Sequence, residues 1–497
     1  MTAVPSEPSA AAGSDARSVV RNSAASVAGQ MANLLVGLVS SVYVVRVLGK
    51  DQFGMYSWAL GLCTIAAAVA NAGLDNVIVR DLARRRDKAP EYLLSAFVVK
   101  VFSSCLCYLG IALYLRMRGY SGIQLAVGYL LCSTVIAESF NASCRAVLAG
   151  LERQDLSAVV SVVTNVLRVG AVVILVYSGY NIVAVAWVTV GATALTLGLQ
   201  VAAIRGIARA FWHPSLAMSR HLVTVGATFL ASDIFLKLFD RADYIMLDIY
   251  KDVGTVGIYG AAYRIIEITA TIGYTCSLAI FPIMSRRVHG SKEDYARAIS
   301  RSTKYLTIFG IPFCVGIFLL SRPLMIGLYH SPLFPASASG TCLSILIWSR
   351  IAAFAIVPGQ QAVAARNAQL WLLPPVIARA AINIGLNLYL IPRYGYIGAS
   401  VAMVITENIF YVLNYIIAFR GPERFNPIAL LARPSIAAGI MAVVVLWLRP
   451  YGMAAATAGA LVTYPLALLA LGAIDSEDKR ILRALVSRPQ KGGGDLE

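Results

Sequence analysis

The chain alternates long apolar runs with short polar connections. Each run is long enough to form a helix that crosses a bilayer, which takes about 20 predominantly apolar residues. Fourteen such runs lie at residues 22–46, 54–79, 92–115, 122–148, 156–178, 182–204, 221–247, 254–283, 303–321, 339–365, 369–391, 395–419, 432–449 and 452–474. We therefore predict an all-α polytopic membrane protein with about fourteen transmembrane helices.

The two halves of the chain resemble each other. Lys50-Asp-Gln-Phe-Gly-Met-Tyr is similar to Lys251-Asp-Val-Gly-Thr-Val-Gly-Ile-Tyr, and each lies between the first and second spans of its half. Six spans per half predict two parallel repeats followed by two extra C-terminal helices. The predicted units are a disordered cytoplasmic tail (1–17), an N-lobe (18–205), a cytoplasmic linker (206–220), a C-lobe (221–420), the last two helices (421–475) and a second cytoplasmic tail (476–497).

Composition agrees with the pattern of spans. Of the 497 residues, 58% are hydrophobic and 13% are charged, whereas soluble proteins are about one quarter charged. The net charge of +17 does not indicate nucleic acid, because most Lys and Arg residues outside the spans fall in the connections on one side, at 80–88, 205–220, 286–304 and 420–433. The positive-inside rule then places both termini in the cytoplasm, where basic loops also contact anionic lipid.

The cysteines predict neither a disulfide framework nor a metal site. All eight lie within predicted spans, without the paired loop spacing of a zinc site. No Gly-Lys-Ser/Thr loop for nucleotide phosphates is present either. We therefore predict no cofactor and no metal.

Charged residues are concentrated in the seventh and eighth spans. On a helical wheel Asp233, Lys237, Asp240 and Arg241 share one face of the seventh, and Arg264 and Glu267 share one face of the eighth. A charge at membrane depth costs about 3 kcal/mol or more unless it is paired or faces water. These faces predict the wall of a polar cavity. The alternative is a set of ion pairs, Asp233–Lys237 and Arg264–Glu267, that only holds helices together.

Other spans carry fewer polar groups that point to the same cavity. The first span has a polar stripe, whereas the sixth is almost uncharged and is expected to face lipid. Lys100 in the third span has few polar neighbours in the sequence and is expected either to reach the membrane surface or to face the cavity. The remaining candidates are Gln30, Asn33, Glu138, Arg145, Arg168, Arg350, Arg379 and Glu407.

Several short motifs at the ends of spans carry a family resemblance. They are Arg46-Val-Leu-Gly with Phe53-Gly-Met-Tyr, Leu148-Ala-Gly-Leu-Glu-Arg, and Tyr394-Gly-Tyr-Ile-Gly-Ala-Ser-Val-Ala. In this order and at these boundaries, the chain resembles the multidrug/oligosaccharidyl-lipid/polysaccharide (MOP) exporter superfamily over residues 18–475. The branch that it resembles is the polysaccharide transporters, the Wzx-type oligosaccharide and O-antigen flippases.

The resemblance implies a fold and a cargo. Two six-helix lobes would form a pseudo-symmetric V around a central cavity that opens alternately to either side of the inner, cytoplasmic membrane. The cargo would be an undecaprenyl-diphosphate-linked oligosaccharide, moved for the synthesis of O-antigen, capsule or exopolysaccharide. Membrane lipids, a polysaccharide polymerase and a chain-length regulator are the other implied partners.

The candidate residues fit such a cargo. Arginine binds phosphate through its planar fork of donors, and amide side chains meet sugar hydroxyls. The predicted substrate-binding residues are Lys237, Arg241, Arg264, Arg350, Arg379, Arg168, Arg145, Gln30 and Asn33. The candidates for ion coupling are Asp233, Asp240, Glu267, Glu138 and Glu407.

Two other functions remain as alternatives. A cation-coupled drug exporter would favour an acidic, aromatic cavity, whereas cations are at least as prominent here, and a peptidoglycan-precursor flippase would belong to the same superfamily. A membrane glycosyltransferase or polymerase would need a larger external loop with an acid/base pair. The longest external connection, 322–339, has no carboxylate. We therefore predict a transporter without catalytic residues.

Overall fold

The computed structural model describes residues 10–207, 214–288, 291–366, 368–418 and 427–473, and every regular element among them is helical. In chain order the α-helices are α1 (Ala10–Asn71), α2 (Leu74–Leu82), α3 (Ala89–Met117), α4 (Gly122–Gly150), α5 (Gln154–Tyr177), α6 (Ile182–Ile207), α7 (Leu216–Tyr250), α8 (Val253–Arg287), α9 (Lys292–Leu328), α10 (Ala336–Leu346), α11 (Ser349–Ala365), α12 (Leu373–Tyr394), α13 (Tyr396–Ala418), α14 (Pro427–Leu448) and α15 (Met453–Ala470).

These helices confirm the predicted class. Within the described residues, twelve are long and apolar enough to cross a membrane. The first two predicted spans are continuous in α1 and are separated by a kink at Gly49, whose φ of 76° is left-handed. The tenth span is divided between α10 and α11, and α8 covers the eighth. The chain is thus a multi-pass membrane protein.

Two helices begin inside segments that the sequence predicts to be a tail and a linker. Helix α1 already begins at Ala10, inside the segment 1–17 that the sequence predicts to be disordered, and α7 begins at Leu216, inside the predicted linker. Residues 208–213 of that linker, the connection 419–426 and the predicted tail 476–497 lie outside the described residues.

Following the two halves predicted from the sequence, we call helices α1 to α6 the N-lobe and α7 to α13 the C-lobe. The last two helices pack together against α9, where the Tyr464 hydroxyl donates to the carbonyl of Ile308 at 2.6 Å. We call the membrane side of loops 83–88 and 151–153 the basic side, and the side of loops 118–121 and 250–252 the opposite side.

The two lobes are in close contact on the opposite side. A methyl group at Gly54 would overlap the carbonyl oxygen of Val253, and one at Gly257 would overlap the carbonyl oxygen of Lys50. The repeated motifs Lys50-Asp-Gln-Phe-Gly and Lys251-Asp-Val-Gly-Thr-Val-Gly therefore face each other across the lobe boundary. Only glycine at both positions allows the two backbones to approach this closely.

Hydrogen bonds add to this contact. The Arg46 guanidinium donates to the carbonyls of Gly327 and Leu328 at 2.8 and 2.7 Å, and the Ser331 hydroxyl donates to the carbonyl of Arg46 at 2.7 Å. These three hydrogen bonds join the two lobes at the opposite side, and this part of the lobe boundary is closed.

Helix α7 is bonded to the N-lobe at both of its ends. On the opposite side Asp248 accepts hydrogen bonds from the hydroxyl of Tyr120 and from the Gln124 amide. On the basic side Ser95 Oγ and the backbone of Ser215 are hydrogen-bonded in both directions, at 3.0 and 3.3 Å. Although α7 belongs to the C-lobe in sequence order, its ends move with the N-lobe unless these contacts break.

Candidate functional site

A central cavity of about 420 Å³ lies between the lobes, lined by residues from α1, α4, α5, α6 and α8. Helices α1, α4, α5 and α6 supply one wall and α8 supplies the other. Its polar and charged lining residues are Asn33, Glu138, Arg145, Ser161, Thr164, Asn165, Arg168, Thr189, Thr193, Thr196, Arg264 and Glu267. Seven of the lining side chains are thus uncharged hydrogen-bonding groups, and five are charged. The cavity presents three guanidinium groups and two carboxylates.

Most charges in this cavity are paired. Glu267 accepts from Arg264 at 2.9 Å on its own helix and from Arg241 of α7 at 2.6 Å. Glu138 accepts from Arg145 at 2.7 Å, one face of α4 supplying both. The predicted pair Arg264–Glu267 therefore exists, and it also lines the predicted cavity. The two interpretations of these charges are not exclusive.

Arg168 differs from the other cations. Its guanidinium donates to Asn165 Oδ1 at 2.7 and 3.2 Å and to the Tyr56 hydroxyl at 3.4 Å, and it has no carboxylate partner among the described residues. Asn165 in turn donates to Asn33 Oδ1 at 3.0 Å, and Asn33 donates to Ser161 Oγ at 2.9 Å. A chain of amides thus orients a guanidinium that carries an unneutralised charge.

A second cavity of about 360 Å³ lies inside the C-lobe between α8, α11, α12 and α13. We call it the C-lobe cavity. Its polar lining residues are Thr269, Ser277, Arg350, Gln360, Gln361, Arg379 and Glu407. Helix α8 separates the two cavities, since Arg264 and Glu267 face one and Thr269 and Gly273 face the other.

The charges of the C-lobe cavity are almost fully buried. Glu407 is 3% exposed and accepts from Arg350 at 3.0 Å and from Arg379 at 2.5 Å. The guanidinium of Arg379 is stacked on Phe239, 3.5 Å from the ring centroid, and on Phe410 at 4.6 Å. Such stacking favours a cation that has lost its hydration.

The predicted site residues therefore divide into four groups. Those at the central cavity are Asn33, Arg145, Arg168, Arg264, Glu138, Glu267 and, behind Glu267, Arg241. Those at the C-lobe cavity are Arg350, Arg379 and Glu407. Asp233, Lys237 and Asp240 line neither cavity. The side chain of Gln30 lies outside the described residues.

Two expectations about pairing and exposure need correction. Lys237 Nζ lies 3.8 Å from Asp240 Oδ2, three residues later in α7, and among the described residues it forms no ion pair with the predicted partner Asp233. Lys100 neither reaches the membrane surface nor faces a cavity, since it is fully buried and bonded to Asp75, Asn71 and the Ser139 carbonyl. A buried lysine with a carboxylate at 2.6 Å is an internal ion pair of the N-lobe.

The sixth span was expected to face lipid, and this holds for only one face of α6, where Trp187 and Leu195 are exposed. Thr189, Thr193 and Thr196 of α6 line the central cavity. Their spacing of i, i+4 and i+7 places them on one helix face. This polar stripe was the available signal, but threonine hydroxyls also bond to the preceding turn of their own helix, as Thr193 and Thr196 do here. The stripe alone therefore does not distinguish a cavity wall from a buried helix.

Known proteins share both the sequence pattern and the fold. The protein described as probable flippase AglR of Haloferax volcanii is 24% identical over 451 residues, which cover 87% of this chain and 91% of AglR. A second protein of that organism, described as probable low-salt glycan biosynthesis flippase Agl15, is 26% identical over 379 residues, covering 75% and 77% of the two chains.

A solved structure supports the fold independently of sequence. The lipid II flippase MurJ in an inward closed conformation superposes with a TM-score of 0.74 at 13% identity, covering 92% of this chain and 98% of MurJ. This similarity confirms the two-lobed MOP-type fold. The sequence model of the family described as polysaccharide biosynthesis protein matches residues 19–288, more than half of the chain. The chain therefore belongs to the family of polysaccharide biosynthesis proteins.

Proposed function

We propose that this protein is a flippase that moves undecaprenyl-diphosphate-linked oligosaccharide units across the cytoplasmic membrane by alternating access. The observation that carries the proposal is the central cavity, in which the unneutralised Arg168 faces the same space as Arg264. A guanidinium without a carboxylate at membrane depth is poised for an anionic group. Two relatives are described as flippases, one of them in glycan biosynthesis, and this supports the choice of a glycan cargo.

The diphosphate binds at Arg168, with Arg264 and Arg145 as secondary contacts. Arg264 is already paired with Glu267 and Arg145 with Glu138. These two arginines therefore leave or share their glutamates when the cargo enters. Amides and hydroxyls at Asn33, Ser161 and the threonines of α6 are placed to meet sugar hydroxyls. Glu267 and Glu138 are the ion-coupling candidates that face this cavity.

The lipid tail stays in the bilayer or in an apolar space at the protein surface. A cavity of about 660 Å³, lined almost only by apolar residues, lies between α9, α14 and α15. In this orientation the basic side faces the cytoplasm, as do both termini, because of the positive-inside rule. A polymerase and a chain-length regulator would receive the units on the opposite side.

The test is glycan export in a strain that lacks its own flippase. The intact chain is expected to restore surface glycan, and Arg168→Gln is expected to reduce export at least tenfold at equal protein level, since one charge-assisted contact is worth about 1.5 to 3 kcal/mol. Arg168→Lys should fall between them because lysine keeps the charge and loses the fork.

Arg297→Gln is the matched control. Arg297 is 66% exposed and pairs with Asp294 in the first turn of α9, away from both cavities, so export should stay normal. Normal export by Arg168→Gln would refute this diphosphate site. Efflux of cationic dyes without glycan export would instead favour a drug exporter, and restoration of peptidoglycan synthesis would favour a precursor flippase.

A further inference from the structure

The C-lobe cavity has a charge imbalance that the diphosphate site does not explain. Arg350 and Arg379 share the single carboxylate of Glu407, so the described lining residues carry one uncompensated positive charge. The side chains of the three are 8%, 13% and 3% exposed. Burial of an unpaired charge costs several kcal/mol unless a counter-charge or water reaches it. A single negative charge would balance this site.

Unused hydrogen-bonding groups face the same space. The buried Nε–H of Arg379 has no acceptor among the described residues, and the amides of Gln360 and Gln361 line the same cavity. Buried donors without partners are rare in folded proteins, because each costs about 1 to 3 kcal/mol. The cavity thus presents a charged guanidinium fork and two amides to a ligand.

The lining also includes two aromatic rings, Phe354 and Phe410. A flat apolar face beside amides and a guanidinium suits a ring that carries both C–H groups and hydroxyls. The volume of about 360 Å³ lies within the roughly 300 to 1,000 Å³ typical of small-molecule sites. One sugar ring with one carboxylate fits this combination of charge, donors and size, whereas a doubly charged phosphate would leave a negative excess.

The arrangement has a counterpart in the N-lobe. There Arg145 on the fourth helix of the lobe and Arg168 on the fifth accompany the carboxylate of Glu138. In the C-lobe Arg350 lies on the fourth span and Arg379 on the fifth. The central cavity, walled mainly by the N-lobe, and the C-lobe cavity are therefore two cationic cavities of similar make-up on either side of α8.

We propose that the C-lobe cavity binds the carboxylate of a hexuronate residue in the oligosaccharide cargo. The guanidinium groups of Arg350 and Arg379 hold the carboxylate, and Gln360 and Gln361 bond to ring hydroxyls. This proposal rests on the proposed function for its cargo. Its site is separate from the diphosphate site, so each can fail alone.

The experiment measures thermal unfolding of the purified full-length protein at constant ionic strength. D-glucuronate is the probe for the C-lobe cavity and inorganic pyrophosphate is the probe for the central cavity. A saturating probe is expected to raise the unfolding midpoint by about 2 °C. Arg379→Gln should lose the glucuronate shift and keep the pyrophosphate shift, whereas Arg168→Gln should do the reverse.

Gln361→Leu provides a second variant that leaves the buried ion pairs intact. It should weaken glucuronate binding at least threefold if the amide bonds to the sugar. D-glucose and acetate separate the parts of the ligand: neither alone should reproduce the shift at the same concentration. An acetate shift equal to that of glucuronate, or a glucuronate shift that survives both C-lobe substitutions, would overturn the proposal. If the unsubstituted protein shows the glucuronate shift but no pyrophosphate shift, the diphosphate site is refuted and this one stands.

Discussion

At the scale of single residues, charge type and position are readable from the sequence, but partners are not. The stripe that contains Asp233, Lys237, Asp240 and Arg241 suggests one common cavity wall. In the structure only Arg241 reaches the central cavity charges, through Glu267 at 2.6 Å. A helical wheel gives the angle of a side chain on its helix, whereas its neighbour depends on which helix packs there. For Arg379 that neighbour is Glu407, 28 residues away.

The buried pair of Lys100 and Asp75 gives a residue-scale prediction. Lys100→Ala leaves the carboxylate of Asp75 unpaired, which should lower the free energy of unfolding by about 3 kcal/mol, the lower end of the range for buried pairs because Asp75 is 26% exposed. The double variant Lys100→Met with Asp75→Asn should recover most of that loss. Thermal unfolding of the purified variants measures both.

Lys88→Ala is the matched control, because Lys88 pairs with Glu91 at 3.7 Å on the surface and an exposed pair contributes less than about 1 kcal/mol. Equal losses for Lys88→Ala and Lys100→Ala would contradict the importance of burial. An unstable double variant would indicate that the charge pair itself, and not its imbalance, stabilises the N-lobe.

At the scale of helices and turns, the repeated motifs have a structural role that their similarity alone does not reveal. The turns that begin at Lys50 and Lys251 pack against each other through Gly54 and Gly257. Their likeness predicts a repeat, but the contact between them requires both lobes. Helix α6 is a contrasting case, because its spanning residues are almost uncharged and yet its threonines line the central cavity.

Gly54→Ala is the element-scale test. The added methyl group overlaps the Val253 carbonyl, so the opposite side should no longer close and export should fall at least tenfold. Ser57 lies one helical turn from Gly54 and is only 5% exposed. A cysteine placed there should react faster with a membrane-impermeant thiol reagent in the Gly54→Ala variant. Gly191→Ala in α6 has no atom within 4 Å of its added carbon and should change neither quantity. Unchanged reactivity in Gly54→Ala would show that this contact does not hold the opposite side closed.

At the scale of the whole molecule, α7 connects the lobes at two levels of the membrane. Asp248 accepts from Tyr120 and Gln124 at the opposite side. His221 Nε2 lies 3.0 Å from Asp81 Oδ2 at the basic side. Alternating access requires that the contacts on one side of the membrane break while those on the other side remain formed. The two carboxylates are therefore predicted to bias the lobes in opposite senses.

Asp248→Asn should favour opening of the opposite side, and Asp81→Asn should favour opening of the basic side. Cysteine reactivity from each side of sealed vesicles measures the two populations, and shifts of the same sign would contradict the prediction. Burial raises the pKa of the Asp81 carboxyl, but hydrogen bonds from His221, Arg80 and Tyr92 outweigh it and lower the pKa below its usual value. The contribution of this contact is present above the ordinary carboxyl pKa and is lost as pH falls through the lowered pKa of the folded state.

The sequence by itself determined the all-helical membrane class and the family, and it predicted about fourteen spans in two repeats. These follow from length, hydropathy and turn residues, which act within one helix or between neighbours in the chain. It also identified Arg168, Arg264, Arg350 and Arg379 as cations within the membrane. Only the tertiary structure decided that they occupy two cavities on either side of α8, because partner choice depends on packing between helices that are distant in the chain. For the same reason only the packed structure shows that Arg168 has no carboxylate partner among the described residues and that Arg350 and Arg379 share the carboxylate of Glu407.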